Sequence, residues 1–220
     1  MKLNAVVLVD GDDKILGDFF HSLEIKTTEL LNQFVTSEGL EFKNNVLHSD
    51  DIDAVSISEK IATVNSSQFL CFCYVHGDEN SMAVDNQPFL STSVNYYIFS
   101  NAFVYTFSCK NGAGLADKLI ENQVRTFIGY QHEAWCPNDY DDITSNIALV
   151  GLKSFLSGKT AEDAYEDLRL AYDKQIYDKR KEGFARHYYK LNRDALVIKG
   201  DGKLTINDIY IADAGNDNGL

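Results

Sequence analysis

The sequence predicts an α/β fold in which a central, mostly parallel sheet carries helices on both faces. The strongest observation is the segment 101–130, where an apolar run is followed by a small-residue turn, a short helical pattern and a second apolar run. A strand–turn–helix–strand unit of this length forms a right-handed crossover between two parallel strands. The second observation is that two further continuous apolar runs, at 4–10 and 69–75, are typical of inner strands that are covered on both faces.

The remaining elements follow from periodicity and turn residues. In the first helical pattern, at 24–37, Leu30, Leu31 and Phe34 share one face before Gly39 supplies a stop. The other expected elements are a strand at 40–48, a helix at 56–64, a hairpin at 81–92 turning at Asp85-Asn86, a short helix at 94–102, helices at 143–156 and 160–177, and two strand pieces within 195–206 about a Gly-Asp-Gly turn.

Length and charge restrict the class of protein. A chain of 220 residues, 45% of them hydrophobic, can bury one core. A net charge of -13 argues against nucleic acid or an anionic membrane as the main partner. No apolar stretch approaches the roughly 20 residues that span a bilayer, and the N-terminus does not have the pattern of a signal peptide.

The four cysteines do not have the spacing of a disulfide framework, which indicates a reducing compartment. We therefore expect a soluble, cytoplasmic protein with a single domain over residues 1–212 and a disordered tail over residues 213–220. We expect no cofactor.

Two of the apolar runs end in residues with chemical function, namely His76-Gly77 and Ser108-Cys109. If the two strands are neighbours and parallel, both ends lie at the carboxyl edge of the sheet, where ligands bind in such folds. A thiol just before a helix N-terminus has a lowered pKa, and a histidine beside it suits covalent acyl transfer. The backbone N–H groups of Gly77 and Cys109 would hold the oxyanion. The alternative is that Cys109 is one more buried, inert cysteine.

The sequence also contains two candidate metal sites. Cys71, Cys73 and His76 suggest zinc, but 71 and 73 share one face of a strand whereas 76 lies on the other. No fourth ligand follows at the spacing of a zinc site, so we expect both cysteines in the core and no metal. A flavodoxin-like or receiver domain, with Mg²⁺ held at Asp10, Asp12 and Asp13, leaves the turn at Cys109 without a function.

The stretches FCYVHG and VYTFSCKNGAGLADKLIENQVRTFIGY resemble the caspase-like cysteine peptidases, which include caspases, metacaspases, gingipains, separases and bacterial CHAT domains. In that family one strand ends in His-Gly, and a later strand ends in Ala/Ser-Cys and is followed by small residues, a helix and a strand. The stretches SFLSGKTAEDAYEDLRLAY and RDALVIKGDGKLTI are similar to the CHAT and gingipain-like branch. Gly202 replaces a proline of that branch, and its final arginine is missing. The resemblance covers residues 1–210.

The resemblance implies a caspase-like three-layer sandwich that hydrolyses peptide bonds of protein substrates without metal or cofactor. It implies that His76 is the general acid and base, Cys109 the nucleophile and Gly77 an oxyanion donor. Bacterial relatives serve in regulated proteolysis, including antiviral defence, and often work beside a regulatory partner or sensor protein. The alternative is a catalytically inactive caspase-like fold that acts as a binding or signalling module.

The charge of the residues at the catalytic edge predicts the substrate preference. The polar loop 131–142, which contains Glu133 and Trp135, is expected to border the substrate cleft. Acids at the catalytic edge favour cleavage after Lys or Arg, and Asp10 is the candidate pocket acid because it ends a buried strand. Phe107 stands where metacaspases carry an acid two residues before the cysteine, and it indicates a pocket for an apolar side chain instead.

Overall fold

The computed structural model describes residues 1–64, 68–137 and 139–209. The strands are β1 (Lys2–Val9), β2 (Glu41–His48), β3 (Phe69–Tyr74), β4 (His76–Gly77), β5 (Ser81–Val84), β6 (Gln87–Ser91), β7 (Ala102–Phe107), β8 (Thr126–Tyr130) and β9 (Leu196–Gly200). The helices are α1 (Gly17–Glu38), α2 (Ala54–Ala62), α3 (Leu115–Glu121), α4 (Asp141–Ala148), α5 (Val150–Leu156), α6 (Ala161–Asp178) and α7 (Gly183–Ala195).

Six strands form the central sheet in the order β2-β1-β3-β7-β8-β9, and β4, β5 and β6 form a small separate sheet. The first five strands of the central sheet pair in parallel, and β9 pairs antiparallel with β8. Along β3, Leu70, Phe72 and Tyr74 pack on the face that is covered by α1 and α4 to α7. Cys71 and Cys73 pack on the opposite face, against α2, α3 and the small sheet. The predicted α/β class, with helices on both faces of a mostly parallel sheet, is confirmed.

The two strands that precede His76 and Cys109 are direct neighbours. β3 and β7 pair in parallel from Phe69↔Ala102 to Tyr74↔Phe107, so both end at the same level. β1 ends beside them, because the N–H of Asp10 donates to the carbonyl of Tyr74 at 3.0 Å. The residues that follow β1, β3 and β7 therefore emerge together at one edge of the sheet.

Several predicted elements have different bounds. The expected helix at 143–156 is two helices, because Leu149 leaves the helical conformation (φ -97, ψ 1) between α4 and α5. The second strand piece within 195–206 is wrong, since Gly200 (φ 92) ends β9 and the chain continues through a turn into a short 3-10 helix, Ile206–Asp208. The expected helix at 94–102 is only a 3-10 turn, Tyr96–Phe99.

Helix α7 was not predicted. Its buried residues are Ala185, Tyr189, Asn192 and Ala195, a stripe at helical spacing that contains no large aliphatic side chain. Across the described ranges no helix is both long and apolar enough to cross a membrane. The predicted tail at 213–220 falls outside the described residues, and the single domain over 1–212 stays a prediction.

Candidate active site

A cleft of about 460 Å³ opens at the carboxyl edge of the sheet. It lies between the turn after β1, the residues that follow β3 and β7, the segment after β8, and helix α7. It is lined by Ile15, Leu16, His76, Cys109, Glu133, Ala134, Trp135, Cys136, Pro137, Phe184 and Tyr188. Four of the residues singled out in the sequence, His76, Cys109, Glu133 and Trp135, thus border one cleft.

The Cys109 thiol is held by the backbone of the segment after β8. Its Sγ accepts a hydrogen bond from the N–H of Ala134 at 3.4 Å and lies 3.8 Å from the carbonyl oxygen of the same residue. Burial is the largest effect and raises the pKa of the thiol, whereas the hydrogen bond from Ala134 and the charge of Lys110 act against it and the charge of Glu133 adds to it. The expected lowering of this pKa is wrong, because α3 begins only at Leu115 and the sulfur is largely buried. Cys109 therefore rests as a neutral thiol.

The raised pKa predicts the pH dependence of alkylation. A thiol whose pKa lies above the ordinary value of about 8.5 forms thiolate only as the pH rises through that higher value. With uncharged iodoacetamide, the rate of Cys109 modification is expected to keep rising above pH of about 8.5. Mass-spectrometric peptide mapping follows Cys109 separately from Cys136. A plateau reached below pH of about 7 would show a thiolate–imidazolium pair at rest and contradict this assignment.

His76 is paired with Asp13, which the sequence suggested as a Mg²⁺ ligand and not as a partner of the histidine. Its Nε2 lies 3.1 Å from Oδ2 of Asp13. The other carboxylate oxygen of Asp13 accepts the N–H groups of Leu16 and Ile15 at 2.6 and 2.9 Å. Burial by itself would raise the pKa of Asp13, but these two bonds and His76 outweigh it, so the pKa is lowered and the carboxylate stays charged. Asp13 therefore holds the imidazole of His76 through Nε2.

Neither Asp10 nor Phe107 lines this cleft, although an oxygen of Asp10 lies within 4.8 Å of a ring nitrogen of His76 and Phe107 borders a small adjoining cavity with His76 and Cys109. Asp10 is 3% exposed, and one of its oxygens accepts the hydroxyl of Ser49 at 3.1 Å beneath the turn after β1. Burial raises its pKa. Phe107 is equally buried, and its ring packs edge-on against Phe19 and Tyr130 at 4.9 and 5.1 Å. Phe107 belongs to the face of β7 that also carries Phe103 and Tyr105, and this face packs in the core covered by α1 and α4 to α7.

One group of ligand atoms at this edge has the geometry to hold a cation. Asp10, Asp13 and His76 each offer an oxygen or nitrogen atom, and these atoms lie within 4.8 Å of one another. Asp12, which the Mg²⁺ interpretation required, is not in the group. A cation there would compete with the imidazole for Asp13.

Cys71 and Cys73 lie in the core, as the sequence predicted. They are fully buried free thiols whose sulfurs lie 3.8 Å apart.

A buried asparagine joins the nucleophile turn to the histidine loop. The side-chain NH₂ of Asn111 donates to the carbonyls of Asp78 and Ser81 at 2.7 and 2.8 Å. Gly77 permits this contact, because a Cβ at that position would lie 2.5 Å from both Nδ2 of Asn111 and Oγ of Ser108. The glycine therefore lets the backbone after His76 lie directly against the turn after Cys109.

Removal of this link should both destabilise the fold and slow any chemistry at the site. Asn111→Ala leaves two carbonyls without their donor, and we expect it to lower the free energy of unfolding by about 1–3 kcal/mol. Urea unfolding and the rate of peptide hydrolysis check this. The matched control is Asn122→Ala, which removes one side-chain bond to the carbonyl of Lys118 at the end of α3. Equal losses in the two variants would contradict the linking role of Asn111.

Solved structures of gingipain R are similar to this chain along almost its whole length. The structure titled as the Arg specific cysteine proteinase gingipain R aligns with a TM-score of 0.63 at 14% identity, covering 92% of this chain and 47% of that chain. The chain shares the α/β fold of gingipain R. A complex of the Porphyromonas gingivalis RgpB pro- and mature domains aligns with a TM-score of 0.56 at 13% identity, covering 92% of this chain and 48% of that one.

At these identities the likeness of this chain to gingipain R concerns the fold, and this chain spans about half the length of the gingipain R chains. No protein-family model matches the sequence, and no curated protein sequence matches it. These neighbours fit the gingipain side of the resemblance drawn from the sequence. The likeness to CHAT domains stays a prediction.

Proposed function

We propose that this chain is a cysteine endopeptidase in which Cys109 is the nucleophile, His76 the general acid and base, and Asp13 the residue that positions His76. One observation carries the proposal. In a caspase-like fold, Cys109 and a histidine already held by a carboxylate line the same cleft at the carboxyl edge of neighbouring parallel strands.

In the first half of the proposed reaction, Sγ of Cys109 attacks the carbonyl carbon of the substrate while its proton passes to Nδ1 of His76. General-base assistance is needed because the resting group is a neutral thiol. The N–H of Cys109 donates no hydrogen bond within the described part of the chain, and in the proposed reaction it receives the oxyanion together with the N–H of Gly77. His76 then protonates the leaving amine as the C–N bond breaks, which leaves a thioester.

In the second half, water attacks the thioester carbonyl and gives a proton to His76. The C–S bond breaks, the peptide leaves as a carboxylic acid, and the proton returns to the sulfur. The charged carboxylate of Asp13 stabilises the imidazolium that forms in both halves. This chemistry proceeds with the side chains of this chain and water alone.

The preference for a basic residue before the cut is a proposal that rests on the sequence. The cleft contains one carboxylate, Glu133, which pairs with Nζ of Lys110 at 2.9 Å. Asp10 is buried and does not line the cleft. A role in regulated proteolysis or antiviral defence, with a regulatory partner, is likewise a proposal that rests on the sequence resemblance.

The second candidate is a caspase-like module that binds partners without hydrolysis. The raised pKa of Cys109 favours it, because a buried neutral thiol is a poor nucleophile unless a base assists it. Proteolysis distinguishes the two candidates. When a denatured protein mixture is incubated with the chain, the endopeptidase generates new internal termini that mass spectrometry identifies. If the wild type yields no more internal cuts than Cys109→Ala, the peptidase assignment fails and the binding module stands.

A further inference from the structure

The cleft beside Cys109 is apolar over most of its lining. Six of the eleven lining residues have side chains built of carbon and hydrogen apart from the indole nitrogen of Trp135, namely Ile15, Leu16, Ala134, Trp135, Pro137 and Phe184. Ile15, Trp135 and Phe184 are also 88%, 40% and 62% exposed. Large apolar side chains that surround a cleft at such exposure leave surface that a ligand can remove from water.

Three rings form one side of the cleft, which we call the aromatic wall: Trp135, Tyr188 and Phe184. The ring centroids of Trp135 and Tyr188 lie 4.9 Å apart, and those of Phe184 and Tyr188 lie 4.7 Å apart at 70°. Tilted and edge-to-face contacts of this kind hold the rings in a defined arrangement. The wall thus joins the segment after β8 to helix α7.

The backbone of Trp135 is fixed by a fully buried side chain of α7. Asn192 accepts the N–H of Trp135 through Oδ1 and donates Nδ2–H to its carbonyl oxygen, both at 2.7 Å. Two opposed hydrogen bonds to one residue determine its position and orientation. The wall is therefore preorganised, which reduces the entropy lost on binding.

The wall begins next to the reacting atom. Ala134, which precedes Trp135, donates its N–H to Sγ of Cys109 at 3.4 Å. A substrate whose carbonyl carbon lies at this sulfur consequently places the side chain of the same residue near Trp135. The charge in this part of the cleft is compensated, because the Glu133 carboxylate pairs with Lys110. A charged side chain would gain little there and would lose its hydration.

We propose that the aromatic wall binds a large aromatic or aliphatic side chain, that of the substrate residue whose carbonyl is attacked, so that cleavage follows such residues in preference to Arg, Lys or Asp. The proposal rests on the proposed peptidase function and names its substrate class. It replaces the basic preference that the sequence predicted, because Glu133 is paired and Asp10 lies outside the cleft.

The test uses tripeptidyl acyloxymethyl ketones that differ only in the residue next to the ketone, namely Phe, Leu, Arg or Asp. Sγ of Cys109 forms a thioether by displacing the carboxylate leaving group, and its proton is lost to solvent through His76. The second-order rate of labelling at Cys109 is measured by mass spectrometry. The Phe and Leu probes should label at least about tenfold faster than the Arg and Asp probes, since a hydrophobic pocket discriminates on this scale.

Variants of the aromatic wall test whether it causes the preference among the probes. Trp135→Ala and, separately, Phe184→Ala should reduce the ratio of Phe to Arg labelling toward one. Tyr97→Ala should preserve the ratio, because Tyr97 is an exposed aromatic residue, 61% accessible, on the 3-10 turn before β7 and outside the cleft.

The outcomes separate this inference from the peptidase proposal. Faster labelling by the Arg or Asp probe, or equal labelling by all four, overturns the apolar preference and leaves the peptidase intact. A preference for Phe and Leu in a chain that hydrolyses no peptide supports the aromatic wall and overturns the peptidase. A Trp135→Ala variant that is folded by circular dichroism and keeps the wild-type ratio overturns the role of the wall.

Discussion

Replacing Cys109 with alanine is expected to abolish peptide hydrolysis, lowering kcat by at least about four orders of magnitude while the fold is retained. The reason is that no other group in the cleft can form the thioester: Cys136 donates its Sγ–H to Asp141 at 3.0 Å, and burial raises its pKa further. Hydrolysis of a quenched fluorescent peptide and the circular dichroism spectrum check the two parts of this expectation.

The matched control for that variant is Cys73→Ala. Cys73 is fully buried on the opposite face of the sheet, so its loss should reduce the free energy of unfolding by about 1–3 kcal/mol and leave kcat per folded molecule unchanged. Activity that persists in Cys109→Ala, or that disappears equally in Cys73→Ala, contradicts the assignment of the nucleophile.

Replacing His76 with alanine is expected to cost as much activity as the loss of Cys109, because a neutral thiol needs a base to attack and the amine needs an acid to leave. Asp13→Asn should cost less, between about two and four orders of magnitude in kcat, because an amide preserves the shape but not the charge that fixes the imidazole tautomer. The kcat of each variant, measured across pH, distinguishes loss of the base from loss of its orientation.

The matched control for Asp13→Asn is Asp12→Asn. Asp12 is the exposed neighbour of Asp13, and its backbone N–H, not its side chain, bonds Ser49. Its activity should stay within about twofold of the wild type, as is usual for surface substitutions. If Asp13→Asn also stays within that range at every pH, the pairing of Asp13 with His76 has no catalytic role.

The sequence predicted the parts of this fold that depend on local pattern. Continuous apolar runs identified β1, β3 and β7 as inner strands, and the small-residue turn after Cys109 identified the crossover to β8. Because parallel neighbours end at one edge, the His-Gly and Ser-Cys ends were sufficient to bring His76 and Cys109 to the same cleft.

Features that depend on tertiary contacts were missed. The buried stripe of α7 consists of alanines, a tyrosine and an asparagine, so no apolar periodicity revealed the helix that positions Trp135. The acidic turn offered three aspartates, and only the folded turn shows that Asp13 reaches His76 while Asp10 is turned toward Ser49. The pKa of Cys109 was expected to be lowered, but burial raises it. The segment after β8 buries the thiol, and a sequence motif does not reveal that burial.

The proposed reaction passes through a thioester, and trapping it tests the account most directly. The chain is mixed with a peptide p-nitrophenyl ester and quenched with acid within the first turnover, and the acyl group is located by mass spectrometry of the digested protein. The account predicts an acyl adduct on Cys109 that is absent from Cys109→Ala and strongly diminished in His76→Ala. Turnover of the ester with no adduct on Cys109, or with an adduct on another residue, would contradict it.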